Sequence, residues 1–286
     1  GGRLWTGSFN HEFEREYGFS PCSLYPALWY DIGDETAYAR NLLFQLRAKL
    51  YAKNYIGTLA EWCEDHGLQL TGHQDQEEMV CPVPLSGDLM EAFHWQHIPG
   101  IDVCPHRGRV WRALRIVSSA ARNYDKPLIM CEAFGGNDYF PPDYLYRDTM
   151  EMFAGGINML IEYGVWCDTE RMRRPPELSH QNPIMAPIIP EFHRYVSRLE
   201  KLLQGGRHVC DVAILYPIET LQAGYRFGPE IQYTGGQTAW EADYMEVGEL
   251  LAYRLWTDHT FLHPQTLQER CTVKGGRLVL ENQRNR

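Results

Sequence analysis

The sequence predicts an α/β protein with four strands of a TIM-type (β/α)8 barrel, followed by the start of a second α/β domain. Short apolar strands alternate with amphipathic helices at short connections, which is typical of a parallel sheet with right-handed crossovers. Polar or aromatic residues follow each strand, as expected where loops at the carboxyl ends build a site. No glycine-rich phosphate loop follows a strand, which disfavours a nucleotide-binding sheet.

The barrel elements are predicted from hydrophobic periodicity. Strands are expected at residues 68–73, 100–103, 128–131 and 157–163. Helices are expected at residues 37–65 (one long helix or two abutting ones), 110–121, 144–153 and from 187 to the glycines at 205 and 206. The proline-rich and charged segment 166–190 carries no periodicity, and a loop of that length is usually functional.

A domain boundary is predicted at Gly205-Gly206. Residues 1–206 then form the barrel region, and residues 207–286 begin the second domain without completing it. The elements expected there are strands at 211–216 and 260–262 and a helix at 244–256. The chain starts without methionine and stops in an apparent strand, so we expect both ends to be truncated.

The amino-acid composition disfavours some classes of binding partner. Lys and Arg number 27 and Asp and Glu 37 in 286 residues, a formal net charge of −10. This charge disfavours nucleic acid and anionic membranes as partners, because both are polyanions. No run approaches the roughly 20 apolar residues that span a bilayer. The eight cysteines are scattered and include no C-x-x-C pair, which indicates reduced cysteines in a cytoplasmic protein.

Glu132 is the strongest candidate for a catalytic residue. It directly follows the apolar run at residues 128–131, so we expect it at the carboxyl end of a strand, where barrel enzymes place their active sites. Glycosidic bonds are cleaved by a pair of carboxyl groups, one protonating the leaving oxygen and one acting as base or nucleophile. The alternative is an ordinary solvent-exposed glutamate. We also expect Glu132 to point into the mouth formed by the strand ends, with acidic neighbours raising its pKa.

Polar residues follow two other strands in the same way. The polar run at residues 73–78 comes after the first strand, and one or two of its members are expected to bind sugar hydroxyls or a metal, although a solvated loop would look the same. His73, Gln74 and Asp75 are the substrate-binding candidates in this run. Asp102 ends the second strand. A carboxylate there is suited to a sugar or to calcium, which prefers oxygen ligands.

The fourth strand ends in a second group of candidates. Glu162 and Tyr163 close the strand and Trp166 follows. Aromatic faces stack on the apolar C–H faces of sugar rings, which makes these three candidates for substrate binding. Ordinary core packing explains each aromatic equally well.

An ordered set of residues resembles the calcium-dependent, inverting α-L-rhamnosidase family of bacterial glycoside hydrolases. The matching segments are Trp5…Phe9…Glu12-Phe13…Tyr17-Gly18-Phe19…Leu24–Leu28, His66-Gly67-Leu68, Gln74, Ile98-Pro99…Asp102, Ser118–Ala121, Tyr124–Pro127, Glu132-Ala133-Phe134, Gly156-Ile157-Asn158 and Val212–Pro217. They cover most of the chain in order.

The resemblance implies a glycosidase that acts on a terminal deoxy-sugar, α-L-rhamnose, by single displacement with inversion. It implies that the four strands are the C-terminal half of the barrel, that the following domain is Rossmann-like or flavodoxin-like, and that the general acid lies before residue 1. Glu132 is then the catalytic base, and Asp102 lies near the sugar or its calcium ion.

Three positions depart from the family pattern. Members usually carry two glutamates in the segment that aligns with residues 99–102, where this chain has Gly100 and Asp102. They commonly have threonine where Gly135 stands and often histidine where Tyr163 stands. The departures at Gly100 and Gly135 support the alternative, a non-catalytic carbohydrate-binding or interaction protein on a degenerate barrel.

Overall fold

The computed structural model describes residues 5–75, 77–103, 110–135, 141–166, 178–228 and 242–280. The strands are β1 (Thr71–Gly72), β2 (Ile98–Val103), β3 (Met130–Ala133), β4 (Met159–Glu162), β5 (Ala213–Leu215), β6 (Thr260–Leu262), β7 (Cys271–Lys274) and β8 (Arg277–Leu280). The helices are α1 (Phe9–Tyr17), α2 (Thr36–Tyr51), α3 (Thr58–Asp65), α4 (Leu89–Trp95), α5 (Val110–Asn123), α6 (Pro142–Ala154), α7 (Ile189–Leu203), α8 (Ile218–Gly224), α9 (Tyr244–Tyr253) and α10 (Pro264–Arg270). Two 3-10 turns (Pro21–Ser23 and Tyr25–Leu28) precede α2, and a π-helical segment (Ala52–Gly57) joins α2 to α3.

The chain divides into two compact units. One comprises Gly1–Leu70, Met79–Gln96 and Cys210–Arg286, and the other comprises Thr71–Glu78 and His97–Val209. The predicted boundary at residue 206 lies close to the end of the second unit. However, the segment after the boundary groups with the first 70 residues instead of standing alone, so the predicted division into 1–206 and 207–286 stays a prediction.

The unit that ends at Val209 contains the predicted parallel sheet. Its four strands lie in the order β1-β2-β3-β4, and every neighbouring pair is parallel. Asp102 of β2 lies opposite Glu132 of β3, and Glu132 lies opposite Ile161 of β4. Side chains alternate between the two faces of a sheet, so these three share one face. The neighbouring Ile101 and Cys131, on the other face, are fully buried.

Asn158 fixes the start of two strands. Its side-chain oxygen accepts a hydrogen bond from the backbone N–H of Ile129 at 2.8 Å, and its amide donates to the carbonyl of Pro127 at 2.9 Å. The residue itself is buried. Both partners belong to the turn that leads into β3, so one buried amide ties that turn to the residue preceding β4.

Helix α7 covers part of the outer edge of β4. The Glu200 carboxylate accepts a hydrogen bond from the backbone N–H of Leu160 at 2.7 Å. The Gln204 amide, just beyond the helix, donates to the carbonyl of Asn158 at 2.8 Å. One side-chain acceptor and one side-chain donor thus satisfy backbone groups that β3 does not reach.

The other unit is mostly helical. Phe44 of α2 packs against Tyr225 and Phe227, with ring centroids 5.3 and 5.4 Å away. Two short sheets complete this unit: β5 pairs with β6 in parallel, and β7 pairs with β8 as an antiparallel hairpin. The hairpin turns at Gly275 and Gly276, whose φ angles of 58° and 74° suit a two-residue turn that non-glycine residues rarely adopt.

A buried ion pair links α4 to α10 within this mostly helical unit. Asp88 caps α4 by accepting a hydrogen bond from the N–H of Glu91, and its second oxygen lies 2.8 Å from Nε2 of His263. Both residues are buried. Burial alone lowers the pKa of His263, but the charge and the hydrogen bond of Asp88 outweigh it, and the pKa is raised.

The predicted elements are present with shifted bounds. The apolar run predicted as a strand at 128–131 becomes β3 two residues later, and residues 68–73 shorten to the two-residue β1. Residues 37–65 are two helices separated by the π-helical segment. Of the long loop at 166–190, residues 167–177 lie outside the described part of the chain. No described helix is long and apolar enough to cross a membrane.

Candidate active site

Two carboxylates stand side by side near the carboxyl ends of β2 and β3. Asp102 and Glu132 are register partners on neighbouring parallel strands, each one residue before its strand ends. Both are half-buried, whereas the residues that flank them in the strands are buried. The structure therefore brings together the predicted catalytic residue and the predicted sugar or calcium ligand on one face of the sheet.

The environment of Glu132 favours its protonated form more than water does. Burial raises the pKa of its carboxyl group, and the charge of Asp102 raises it further. His73 opposes both effects and lowers the pKa. The prediction that acidic neighbours raise this pKa holds for Asp102, although burial is the larger cause.

His73 lies between two carboxylates. Its Nε2 is 3.9 Å from Oε2 of Glu132, and its Nδ1 is 3.4 Å from Oε1 of Glu77. Glu77 is almost wholly buried, and the same Oε1 accepts a hydrogen bond from the backbone N–H of Gln74 at 2.7 Å. The loop after β1 therefore brings His73 to Glu132. Gln74 is buried in that loop, whereas Asp75 is exposed.

The substrate-binding candidates at the end of β4 do not all lie on the face of the sheet that carries Glu132. Glu162 lies on the face opposite Ile161, and its carboxylate is 3.0 Å from Nε2 of His193 on α7. Glu162 is therefore not brought to Glu132, because alternation along β4 turns it towards the helix. Tyr163 and Trp166 are half-buried and contact each other edge to face, with ring centroids 6.2 Å apart.

Close packing explains the glycines that depart from the family pattern. A Cβ atom at Gly135 would lie 2.8 Å from Cγ of Tyr163, so the tyrosine side chain occupies the space that a side chain at residue 135 would need. A Cβ atom at Gly100 would lie 2.5 Å from Cε of Met130 and 2.7 Å from the carbonyl oxygen of Gly72. Crowding by Tyr163 therefore opposes a side chain at residue 135.

The fit of calcium to the described residues is poor. Calcium takes about six to eight oxygen ligands. In the described ranges, no three His, Cys, Asp or Glu side chains form a group that could hold a metal ion. Asp102 by itself does not make a calcium site.

Sequence reasoning did not single out Glu77 and missed His193. Glu77 belongs to the polar run at 73–78, which reads as a solvated loop, and the only signal was its helical spacing of four residues from His73. His193 lies on the polar side of a predicted helix, and nothing in the sequence pairs it with Glu162.

Solved structures of glycoside hydrolases share this fold. The chain is similar to a rhamnosidase from Novosphingobium sp. PP1Y, with a TM-score of 0.68 and 20% identity over 96% of this chain and 26% of that one. It is also similar to a catalytic mutant of Gan42B, a GH42 β-galactosidase from G. stearothermophilus, with a TM-score of 0.53 and 15% identity over 93% of this chain and 45% of that one. A second structure of Gan42B gives a TM-score of 0.51 at 14% identity, over 90% and 43% of the two chains.

The family relationship rests on sequence. The chain spans about a quarter of the Novosphingobium rhamnosidase, and identities of 20% or less show the fold alone. No curated protein matches the chain in sequence. A family model described as alpha-L-rhamnosidase matches residues 1–225. Since that match covers most of the sequence, the chain belongs to the α-L-rhamnosidase family.

Proposed function

We propose that this chain carries the catalytic base of an α-L-rhamnosidase, and that the base is Glu132. The observation that supports the proposal is the position of Glu132. Its half-buried carboxylate lies near the carboxyl end of a parallel strand, beside Asp102, where burial and a neighbouring charge raise its pKa. Perturbed carboxyl groups at strand ends are typical of glycosidase active sites in α/β enzymes.

The proposed reaction is a single displacement with inversion. The Glu132 carboxylate removes a proton from a water molecule, whose oxygen bonds to the anomeric carbon as the glycosidic C–O bond breaks. A second carboxyl group protonates the leaving oxygen. The products are the free sugar with inverted anomeric configuration and the released alcohol.

The spacing of the strands argues that Asp102 is not the acid. Neighbouring parallel strands lie ~4.8 Å apart, whereas the two carboxyl groups of an inverting enzyme are about 6.5–9.5 Å apart to admit the water. We therefore place the general acid in a part of the longer protein that precedes this chain. The four parallel strands are then the C-terminal half of a (β/α)8 barrel, and the region around β5 and β6 begins a Rossmann-like or flavodoxin-like domain.

The remaining candidates have supporting roles in this proposal. Asp102 contacts the sugar, and Tyr163 and Trp166 form an aromatic wall beyond β4. Gln74 and Asp75 line the approach from the β1 loop. A calcium ion, which the family resemblance implies, would need oxygen ligands besides Asp102.

The proposal predicts that kcat/KM falls on the acidic side of its pH profile, which is called the acid limb. A base acts only when ionised, so kcat/KM falls as the pH drops through the pKa of Glu132. Because burial and Asp102 raise that pKa above 4.5, the fall begins at a higher pH than it would for a free glutamate.

The test is Glu132→Gln in the full-length protein, assayed with an aryl α-L-rhamnoside. We expect turnover to fall about 10²–10⁴-fold, the range that general acid–base catalysis contributes, with an unchanged melting temperature. Glu151→Gln, on the exposed side of α6, is the matched control. NMR of the first-formed sugar reports inversion.

Near-normal turnover of Glu132→Gln would remove Glu132 as the base. A wild-type protein that binds L-rhamnose in calorimetry but hydrolyses no rhamnoside would instead support the carbohydrate-binding alternative.

A further inference from the structure

The loop after β1 holds a buried carboxylate that the proposed reaction does not use. Glu77 is 3% exposed, and burial raises its pKa although His73 opposes the effect. A carboxylate that is removed from water so completely destabilises the fold unless hydrogen bonds and a positive charge compensate. His73 and the backbone N–H of Gln74 supply that compensation.

The acceptors around His73 show which ring nitrogen carries hydrogen when the ring is neutral. Nδ1 lies 3.0 Å from the carbonyl oxygen of Gln74 and 3.4 Å from Oε1 of Glu77, and both oxygens are acceptors. Nδ1 therefore carries hydrogen. The second nitrogen, Nε2, is the one that faces the carboxylate of Glu132 at 3.9 Å.

We infer that His73 is a positioning residue for Glu132: the buried Glu77 anchors its ring, and its Nε2–H aims and helps to ionise the Glu132 carboxylate. The inference rests on the proposed role of Glu132 as the base. It gives His73 a role through another residue, in place of the direct sugar contact expected from the sequence.

The charges around His73 support this arrangement. The groups that face it are the carboxylates of Glu77, Glu132 and Asp102. The hydrogen bond to Glu77 raises the pKa of His73 to about 9 despite partial burial, and Asp102 adds to the rise. The ring is therefore an imidazolium at neutral pH, with Nε2–H directed at an acceptor.

Removing the imidazolium has a defined effect on the acid limb. Burial and the charge of Asp102 would continue to raise the pKa of Glu132, while the lowering influence of His73 would be lost. We expect His73→Gln to raise the apparent pKa of the acid limb of kcat/KM by about one unit. At pH values below that pKa, kcat/KM should fall about tenfold. KM should change little, because His73 does not touch the sugar.

Glu77→Gln tests the anchor separately. It keeps the shape of the side chain but removes the charge that raises the pKa of His73, so the ring should lose its proton near pH 6.5. Above that pH the variant should resemble His73→Gln, and below it the wild type. Glu78→Gln, in the same loop and half-buried, is the control and should leave the profile unchanged.

The experiment has an arm that does not require activity. Imidazole NMR of full-length protein labelled at histidine should show His73 titrating near pH 9, and at least one unit lower in Glu77→Gln. A His73 titration near pH 6.5 in the wild type would overturn the inference, as would a His73→Gln variant that alters only KM or leaves the acid limb in place. If Glu132→Gln remains active while His73 titrates as expected, the proposed function fails and the Glu77–His73 anchor stands.

Discussion

The contact between Gly135 and Tyr163 predicts a strong coupling between the two positions. A Cβ atom at residue 135 would lie 2.8 Å from Cγ and 2.9 Å from Cδ1 of the tyrosine ring, closer than real Cβ contacts come. Those atoms belong to the base of the ring, which cannot swing away as the end of a flexible chain does. The φ angle of Gly135 is not positive, so crowding alone opposes a side chain.

The size of the effect follows from this crowding. Overpacking of a well-packed site destabilises by about 1–3 kcal/mol, so Gly135→Ala should lower the free energy of unfolding by that amount. In a Tyr163→Ala background the two closest clashes disappear and only the 3.1 Å contact with Cβ remains. The penalty should then fall, leaving an interaction energy of about 0.5–3 kcal/mol in the double-mutant cycle.

Thermal and urea unfolding of the four proteins measure the cycle. At roughly 2–4 °C per kcal/mol for a domain of this size, Gly135→Ala should melt roughly 2–12 °C below the wild type. Gly205→Ala is the matched control, because nothing lies within 4 Å of a Cβ atom there. An equal penalty in both backgrounds, or one no larger than that of Gly205→Ala, would refute the coupling.

Two further predictions concern stability. Asn158→Ala leaves the buried N–H of Ile129 and the half-buried carbonyl of Pro127 without their partner. The buried N–H alone is worth about 1–3 kcal/mol, so urea unfolding should show a loss of that size; a loss below about 0.5 kcal/mol, on the order of a surface substitution, would contradict the role of the amide. Because Asp88 raises the pKa of His263 above 6.5, their pair stabilises the fold fully below about pH 6.5 and less as the pH rises through the raised pKa. Asp88→Asn should remove this decline above about pH 6.5, whereas an unchanged pH dependence in urea unfolding would refute it.

Hydrophobic patterning located the sheet but not the ends of its strands. The apolar run at 128–131 predicted β3, and the strand begins only at Met130 because the turn before it is held by Asn158 through Ile129 and Pro127. Glu132 lies inside β3 for the same reason. A half-exposed face can hold a carboxylate within a strand, and periodicity alone does not show which face that is.

The burial of the Glu77 carboxylate could not be predicted from the sequence. Glu77 sits in a run of six polar residues, and its burial depends on His73 and on the fold of the loop. The hairpin of β7 and β8 is different, since a Gly-Gly pair between two β-forming runs is a recognised hairpin signal from which this element is predictable. The π-helical segment coincides with the five-residue step from Leu50 to Tyr55 in an apolar spacing that otherwise steps by three or four residues.

The side chains of α7 on the edge of β4 bear on how this sheet meets other chains. An exposed strand edge is a template for intermolecular pairing, which leads to aggregation or domain swapping. Glu200 occupies a donor of that edge and Gln204 an acceptor, in the complementary pattern that an added strand would present. A foreign strand must break both bonds before it can add there. The two side chains therefore protect this edge against pairing with another chain. Only a strand that forms enough backbone hydrogen bonds with β4 can displace them.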